Sequence, residues 1–138
     1  MEVYFTRLNW NDTSFPIAAS ETGLCYVGAL NEPSDLFDDW IRKHLPRAEL
    51  IEHPRIMQPY QEQLLEYLDG TRTRFSLPLH LIGTPFQLEV WQALCQVPYG
   101  VTVTYSDIAQ QIYRPSATRA VGTAISKNRV LIVVPCHR

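Results

Sequence analysis

The sequence predicts an α+β protein: an N-terminal antiparallel sheet with flanking helices over residues 1–82, then an all-helical helix-turn-helix domain over 83–138 that ends in Pro135-Cys136-His137-Arg138. Three observations predict it. Short apolar runs separated by Asn, Asp and Gly fill the first thirty residues, as hairpin-connected strands do. Two stretches of helical period follow them. Beyond Gly83 the chain carries two Thr-x-x-Gln/Asp helix starts, each ahead of an apolar stripe.

Residues 3–6, 15–19 and 23–30 read as strands of a meander, with Asn9, Asn11 and Asp12 in the turns. Ser34 is placed to cap a helix in which Leu36, Phe37, Trp40, Ile41 and His44 to Leu45 share a face, and Pro46 ends it. Glu49–Glu52 fits a returning strand. A second helix over 59–68 gathers Leu64, Leu65 and Leu68 and stops at Asp69-Gly70. Residues 76–83, with Pro78 and Gly83, form a connector. Thr84 then caps a helix with Pro85 at its first position and Gln87 closing a capping box, and Phe86, Val90, Trp91 and Leu94 form the buried stripe. Pro98-Tyr99-Gly100 turns the chain. Thr104 and Asp107 open the next helix, with Ile108, Ala109 and Ile112 inward. After Tyr113-Arg114-Pro115, Ser116 is expected to cap a third helix whose Val121, Ala124 and Ile125 face the core. It should end near Asn128, a residue tolerated in left-handed C-terminal positions.

Composition narrows the function classes. A chain of 138 residues that is 46% hydrophobic can bury a core, which excludes disorder. No apolar run has the length of a membrane span, and Met1-Glu2-Val3-Tyr4 starts no signal peptide, so a cytoplasmic protein without a membrane partner is expected. Cys25, Cys95 and Cys136 are odd in number and far apart, which opposes a disulfide framework. Cys25 with His44, His53 or His80 lacks zinc-site spacing, so no metal is expected. The net charge of −2 is uneven: residues 1–82 hold 7 Lys/Arg against 12 Asp/Glu, and residues 83–138 hold 5 against 2. Local positive charge on the second part suits an anionic partner such as nucleic acid.

Two short helices joined by a tight turn and packed on a longer one form either a helix-turn-helix or an ordinary helical cluster. Composition of the last helix favours the former. Ala117, Thr118, Arg119, Ala120, Gly122, Thr123, Ala124 and Ser126 give it an outer face of small side chains with one cation, a surface that lets a backbone approach a partner closely. Arg119 near the helix start opposes the macrodipole, which points to another use. Cys136 beside His137 is a possible thiolate site, because an adjacent imidazole can take the thiol proton or lower its pKa. A buried cysteine chosen for packing is the commoner use of such a dipeptide.

With these pieces in place, the chain resembles the O6-alkylguanine-DNA alkyltransferase family, the methylated-DNA–protein-cysteine methyltransferases. The resemblance rests on Gly83-Thr84-Pro85-Phe86-Gln87-Leu88-Glu89-Val90-Trp91, Pro98-Tyr99-Gly100, Thr104-Tyr105-Ser106-Asp107-Ile108-Ala109, Arg119-Ala120-Val121-Gly122 and Pro135-Cys136-His137-Arg138, in order and at matching spacing. Residues 1–82 are similar in pattern to the family's divergent N-terminal domain. The resemblance implies DNA repair by direct, single-turnover transfer of an alkyl group from O6-alkylguanine, with O4-alkylthymine a further candidate substrate, to Cys136. It implies His137 as the base acting through water and Asn128 as a brace of the active-site segment. Double-stranded DNA containing alkylated guanine would be held in its minor groove by Ala117, Thr118, Ala120 and Gly122. Arg119 would fill the space left by the flipped base, and Tyr105 would crowd the neighbouring phosphate. A monomer with no metal or organic cofactor is implied.

The chain departs from the family pattern at Tyr113-Arg114, where a Gly is usual, and at Arg129, where Pro usually follows the Asn. Family members continue past the His-Arg pair with a pocket loop and an acid that orients the His. A C-terminally truncated alkyltransferase, slow or silent by itself, is therefore expected. An inactive relative that binds alkylated DNA without transfer, or a helix-turn-helix regulator, are the alternatives, and the acceptor-type Cys136 speaks against both.

Overall fold

The computed structural model describes residues 1–135, so Cys136, His137 and Arg138 lie outside the described residues. The chain forms two compact units, Met1–Leu81 and Ile82–Arg138. In the first, β1 (Glu2–Trp10) and β2 (Thr13–Ser20) pair antiparallel from Val3↔Ser20 to Trp10↔Thr13. Asn11 makes the turn at φ 53°, a left-handed conformation that its short amide tolerates. β3 (Leu24–Val27) lies antiparallel to β2, and β4 (Glu49–Glu52) joins the other edge of β1, giving the order β3-β2-β1-β4.

β4 runs parallel to β1, from Glu2↔Glu49 to Phe5↔Glu52, which corrects the expected antiparallel sheet to a mixed one. The connection explains it. α1 (Ser34–His44) lies between β3 and β4 in the chain, and a long helical connection permits the parallel entry that a hairpin forbids. β3 is also shorter than the expected 23–30. The chain leaves the sheet after Val27 and folds around Glu32, whose buried carboxylate accepts from the Tyr26 hydroxyl at 2.6 Å and the Ala29 N–H at 3.2 Å.

β2 from Phe15 onward and all of β3 are buried, as in a strand covered on both faces. Successive residues point to opposite faces, and Cys25 and Tyr26 reveal the two covers. The Tyr26 ring meets Phe37 and Trp40 of α1 at 4.9 and 5.2 Å between centroids. Cys25 points to the opposite face; in α2 (Gln58–Leu68) the half-buried Tyr60 has its phenol pKa raised, by burial first and then by the Cys25 thiolate. Ser34 does not cap α1: Pro33 holds the flanking position and Ser34 is the first helical residue. The buried side of α1 is Phe37 and Ile41, while Leu36, about 100° round the helix from Phe37, is 52% exposed. The connector is not loose either. Leu24 donates to the Pro78 carbonyl at 2.9 Å and receives the His80 N–H at 2.8 Å, so residues 78–80 cover the outer edge of β3.

Burial pushes the Cys25 thiol up to about 12 from an ordinary 9.0. The folded state keeps this proton where the unfolded chain releases it, so the associated stability is complete below about pH 9 and is lost as pH rises toward 12. Denaturant midpoints measured from about pH 8 to about pH 11 are expected to fall more steeply for the wild type than for Cys25→Ala. Equal slopes would show that the thiol ionises freely in the folded protein.

In the second unit, α3 (Pro85–Cys95), α4 (Tyr105–Gln111) and α5 (Thr118–Ser126) pack against one another through Val90, Trp91 and Leu94, Ile108 and Ala109, and Val121, Ala124 and Ile125. Phe86 is half-buried, at the open end of the expected α3 stripe. No helix among the described residues is long and apolar enough to cross a membrane.

Candidate nucleic-acid interface

Local chemistry sets each helix of this unit. Thr84 accepts from the Gln87 N–H at 3.1 Å and Gln87 returns the bond to the Thr84 N–H at 3.0 Å. Thr104 and Asp107 repeat the box at 3.0 and 2.8 Å, which fixes the backbone of Tyr105 at the first position of α4. Between them, the Val101 N–H bonds the Pro98 carbonyl at 3.1 Å around Gly100 at φ 82°, a turn position suited to glycine. The Trp91 indole donates to the Ala124 carbonyl at 2.9 Å and so ties α5 to α3.

α4 ends in a Schellman motif. The Tyr113 N–H bonds the Gln110 carbonyl at 3.0 Å and the Arg114 N–H bonds the Ala109 carbonyl at 2.8 Å. The left-handed residue this motif needs is Tyr113, at φ 61° and 92% exposed. Glycine is the preferred occupant because a Cβ opposes the conformation by about 1 kcal/mol or more. Tyr113→Gly is expected to raise unfolding stability by about 1 kcal/mol, read as an upward shift of the thermal midpoint. A lower midpoint would show that the ring makes compensating contacts.

α5 starts later than the sequence suggests. Ala117 holds the flanking position and no side chain caps the helix. Ser116 sits inside the turn closed by the Ala117 N–H to the Arg114 carbonyl at 2.9 Å, so its hydroxyl is not at the capping position. Two cations flank this turn with different surroundings. Arg114 pairs with Glu89 at 3.3 Å and lies over the Phe86 ring at 5.9 Å, whereas among the described residues Arg119 has no ion-pair partner and is exposed. Ala120, Thr123 and Ser126 continue the exposed side of α5, with Ala117 and Thr118 half-buried at its start. An open groove runs beside this side, between Thr84 with Phe86 and Gln87 at the start of α3 and Ala117 with Arg119 and Ala120 at the start of α5. Tyr105 is 45% exposed, and its ring lies against the bare Cα of Gly122.

Asn128 is not a left-handed cap: α5 stops at Ser126, Lys127 is its C-cap, and Asn128 keeps a negative φ. Its side chain is buried and works forward along the chain, donating to the Val134 carbonyl at 3.0 Å and accepting from the Val130 N–H at 2.8 Å. Within that loop the Val133 N–H reaches the Leu131 carbonyl at 2.7 Å around Ile132 at φ 71°. Such a turn at a β-branched residue costs of order 1–3 kcal/mol, and nothing in the pattern Val-Leu-Ile-Val-Val announces it. The braced loop delivers the chain to Pro135. Cys136 and His137, the expected nucleophile and base, lie outside the described residues. Among the described residues no group of His, Cys, Asp and Glu could hold a metal.

Family models match both units: the 6-O-methylguanine DNA methyltransferase ribonuclease-like domain over residues 3–81 and the DNA binding domain of the same family over residues 85–138. The chain belongs to the O6-methylguanine DNA methyltransferase family. It is 46% identical over 136 residues to the inducible methylated-DNA–protein-cysteine methyltransferase of Bacillus subtilis, covering 99% of this chain and 76% of that protein. To the Mycobacterium leprae methylated-DNA–protein-cysteine methyltransferase it is 53% identical over 117 residues, 85% of this chain and 64% of that one. The solved structure of Mycobacterium tuberculosis OGT in complex with DNA superposes with a TM-score of 0.78 at 32% identity, covering 100% of this chain and 77% of the other.

Proposed function

We propose that this protein repairs DNA by moving an alkyl group, methyl above all, from O6-alkylguanine in a duplex to the sulfur of Cys136. The Cys136 thiolate attacks the alkyl carbon, the carbon–sulfur bond forms as the carbon–O6 bond breaks, and the electron pair goes to O6 of the guanine, which regains its ring proton against the one His137 took from the thiol, so that the protonation balances. His137 takes the thiol proton through water before the attack. The product is a stable thioether, so each molecule acts once and needs no cofactor.

The observation that carries this reading is the bond pair of Asn128, which ties the end of α5 to the loop that runs directly into Pro135-Cys136. The same helix therefore serves both tasks. Its exposed side, with Arg119, Ala120 and the adjoining Ala117 and Thr118, meets the minor groove, and its far end holds the nucleophile's segment. Arg119, exposed and without an ion-pair partner among the described residues, enters the duplex as the damaged base leaves, and Tyr105 presses on the adjoining phosphate. The bilateral charge supports this placement, since the acidic first unit leaves the anion to the second. The working form is a monomer in the cytoplasm.

Stoichiometry tests it. When this protein is incubated with excess duplex containing O6-methylguanine, restored guanine is expected to plateau at one equivalent per protein. Continued turnover beyond one equivalent, or no restoration at all, would contradict the reading.

A further inference from the structure

Gly122 carries a constraint that a groove-facing role does not explain. A Cβ built on it would stand 2.9 Å from Cε2 of Tyr105, closer than side chains allow, and 3.0 Å from Cδ2, tighter than most contacts, with Cζ at an ordinary 3.7 Å. The missing side chain is thus already occupied, by the ring of a residue seventeen positions earlier. Tyr105 cannot yield by moving its backbone, because the Thr104–Asp107 box holds the first turn of α4 at 3.0 and 2.8 Å. Only rotation of the ring about its own side-chain torsions remains. Yet the ring is 45% exposed, so rotation outward is open, and the seat on Gly122 is what selects the observed orientation.

We infer that Gly122 is a positioning residue for Tyr105: its bare Cα seats the tyrosine ring at the height and angle from which the ring meets the DNA backbone, and so couples α4 to α5 in base extrusion. This inference rests on the role given to Tyr105 above. Alanine is the better helix former at an interior position, so a glycine here costs helix stability, and the contact with the Tyr105 ring is what a glycine alone permits. A methyl group at 122 rotates the ring outward and displaces it by several tenths of an ångström or more. Displacements of this order near a reacting complex are enough to change rates without unfolding the protein.

The test is a double-mutant cycle on alkyl transfer, scored as the ratio of the rate on duplex O6-methylguanine to the rate on free O6-benzylguanine, which needs no extrusion. Gly122→Ala is expected to lower this ratio by roughly tenfold or more. In a Tyr105→Ala background the same change should alter it by less than about twofold, because the ring to be displaced is gone. Additive losses would overturn the inference and assign Gly122 to direct groove contact. An unchanged ratio for Gly122→Ala would overturn it too. A parallel measurement separates the seat from the role of Tyr105: the Gly122 Hα resonances should be shifted upfield by the ring current and move back in Tyr105→Leu. If they do so while Tyr105→Ala leaves the duplex rate untouched, the proposed role of Tyr105 fails although the packing stands; if they do not move, the seat itself fails.

Discussion

Asn128→Ala is expected to lower unfolding stability by about 2–4 kcal/mol, because it strands two buried backbone groups together, the Val134 carbonyl and the Val130 N–H. Few single substitutions in the second unit should cost as much for so small a change in volume. The loop they belong to is already strained at Ile132, φ 71°, and depends on the amide to stay closed. Urea unfolding would measure the loss. Alkyl transfer should fall in parallel, by at least about tenfold, since the segment entering Pro135-Cys136 loses its brace. Asn128→Asp keeps the acceptor for Val130 but sets a buried carboxylate against the Val134 carbonyl, so it should cost at least as much as Asn128→Ala at neutral pH. A variant with wild-type stability would show that the loop is held by other contacts.

Arg119→Ala should leave the fold unchanged and act on extrusion. The side chain is exposed, so its removal opens no cavity. Base flipping costs a few kcal/mol, and a cation that fills the vacated stack offsets a share of it; transfer on duplex substrate is expected to drop by about 30- to 100-fold. Overall affinity for undamaged duplex should fall only modestly, because one of several positive charges is lost. On single-stranded substrate, where no base must leave a stack, the loss should shrink to a few-fold. An equal loss on both substrates would remove Arg119 from the extrusion step.

Much of this architecture could be read from the chain because it is decided locally. The two capping boxes are contained in four residues each, Thr84 to Gln87 and Thr104 to Asp107, and form as their residue types dictate. The small outer face of α5 is a matter of composition. What escaped reading depends on partners distant in sequence or on the path of a connection. Nothing in Glu-Leu-Ile-Glu tells whether β4 enters parallel or antiparallel, since period and face are the same either way. Ser34 and Ser116 have the right chemistry for caps, but Pro33 and the Arg114–Ala117 turn put other residues at the capping positions. Tyr113 hides its Schellman motif because the usual glycine is missing. Gly122 reads as room for an outside partner until the Tyr105 ring is seen against it.

In the proposed repair reaction one sulfur, that of Cys136, accepts one alkyl group. Intact mass followed by peptide mapping, after incubation of the protein with duplex O6-methylguanine, decides it. The expected result is a gain of a single CH2 unit per molecule, located on the peptide containing Cys136 and absent in Cys136→Ala, with Cys25 and Cys95 unmodified. An adduct on Cys25 or Cys95, or repair of the base with no mass gain on the protein, would contradict it.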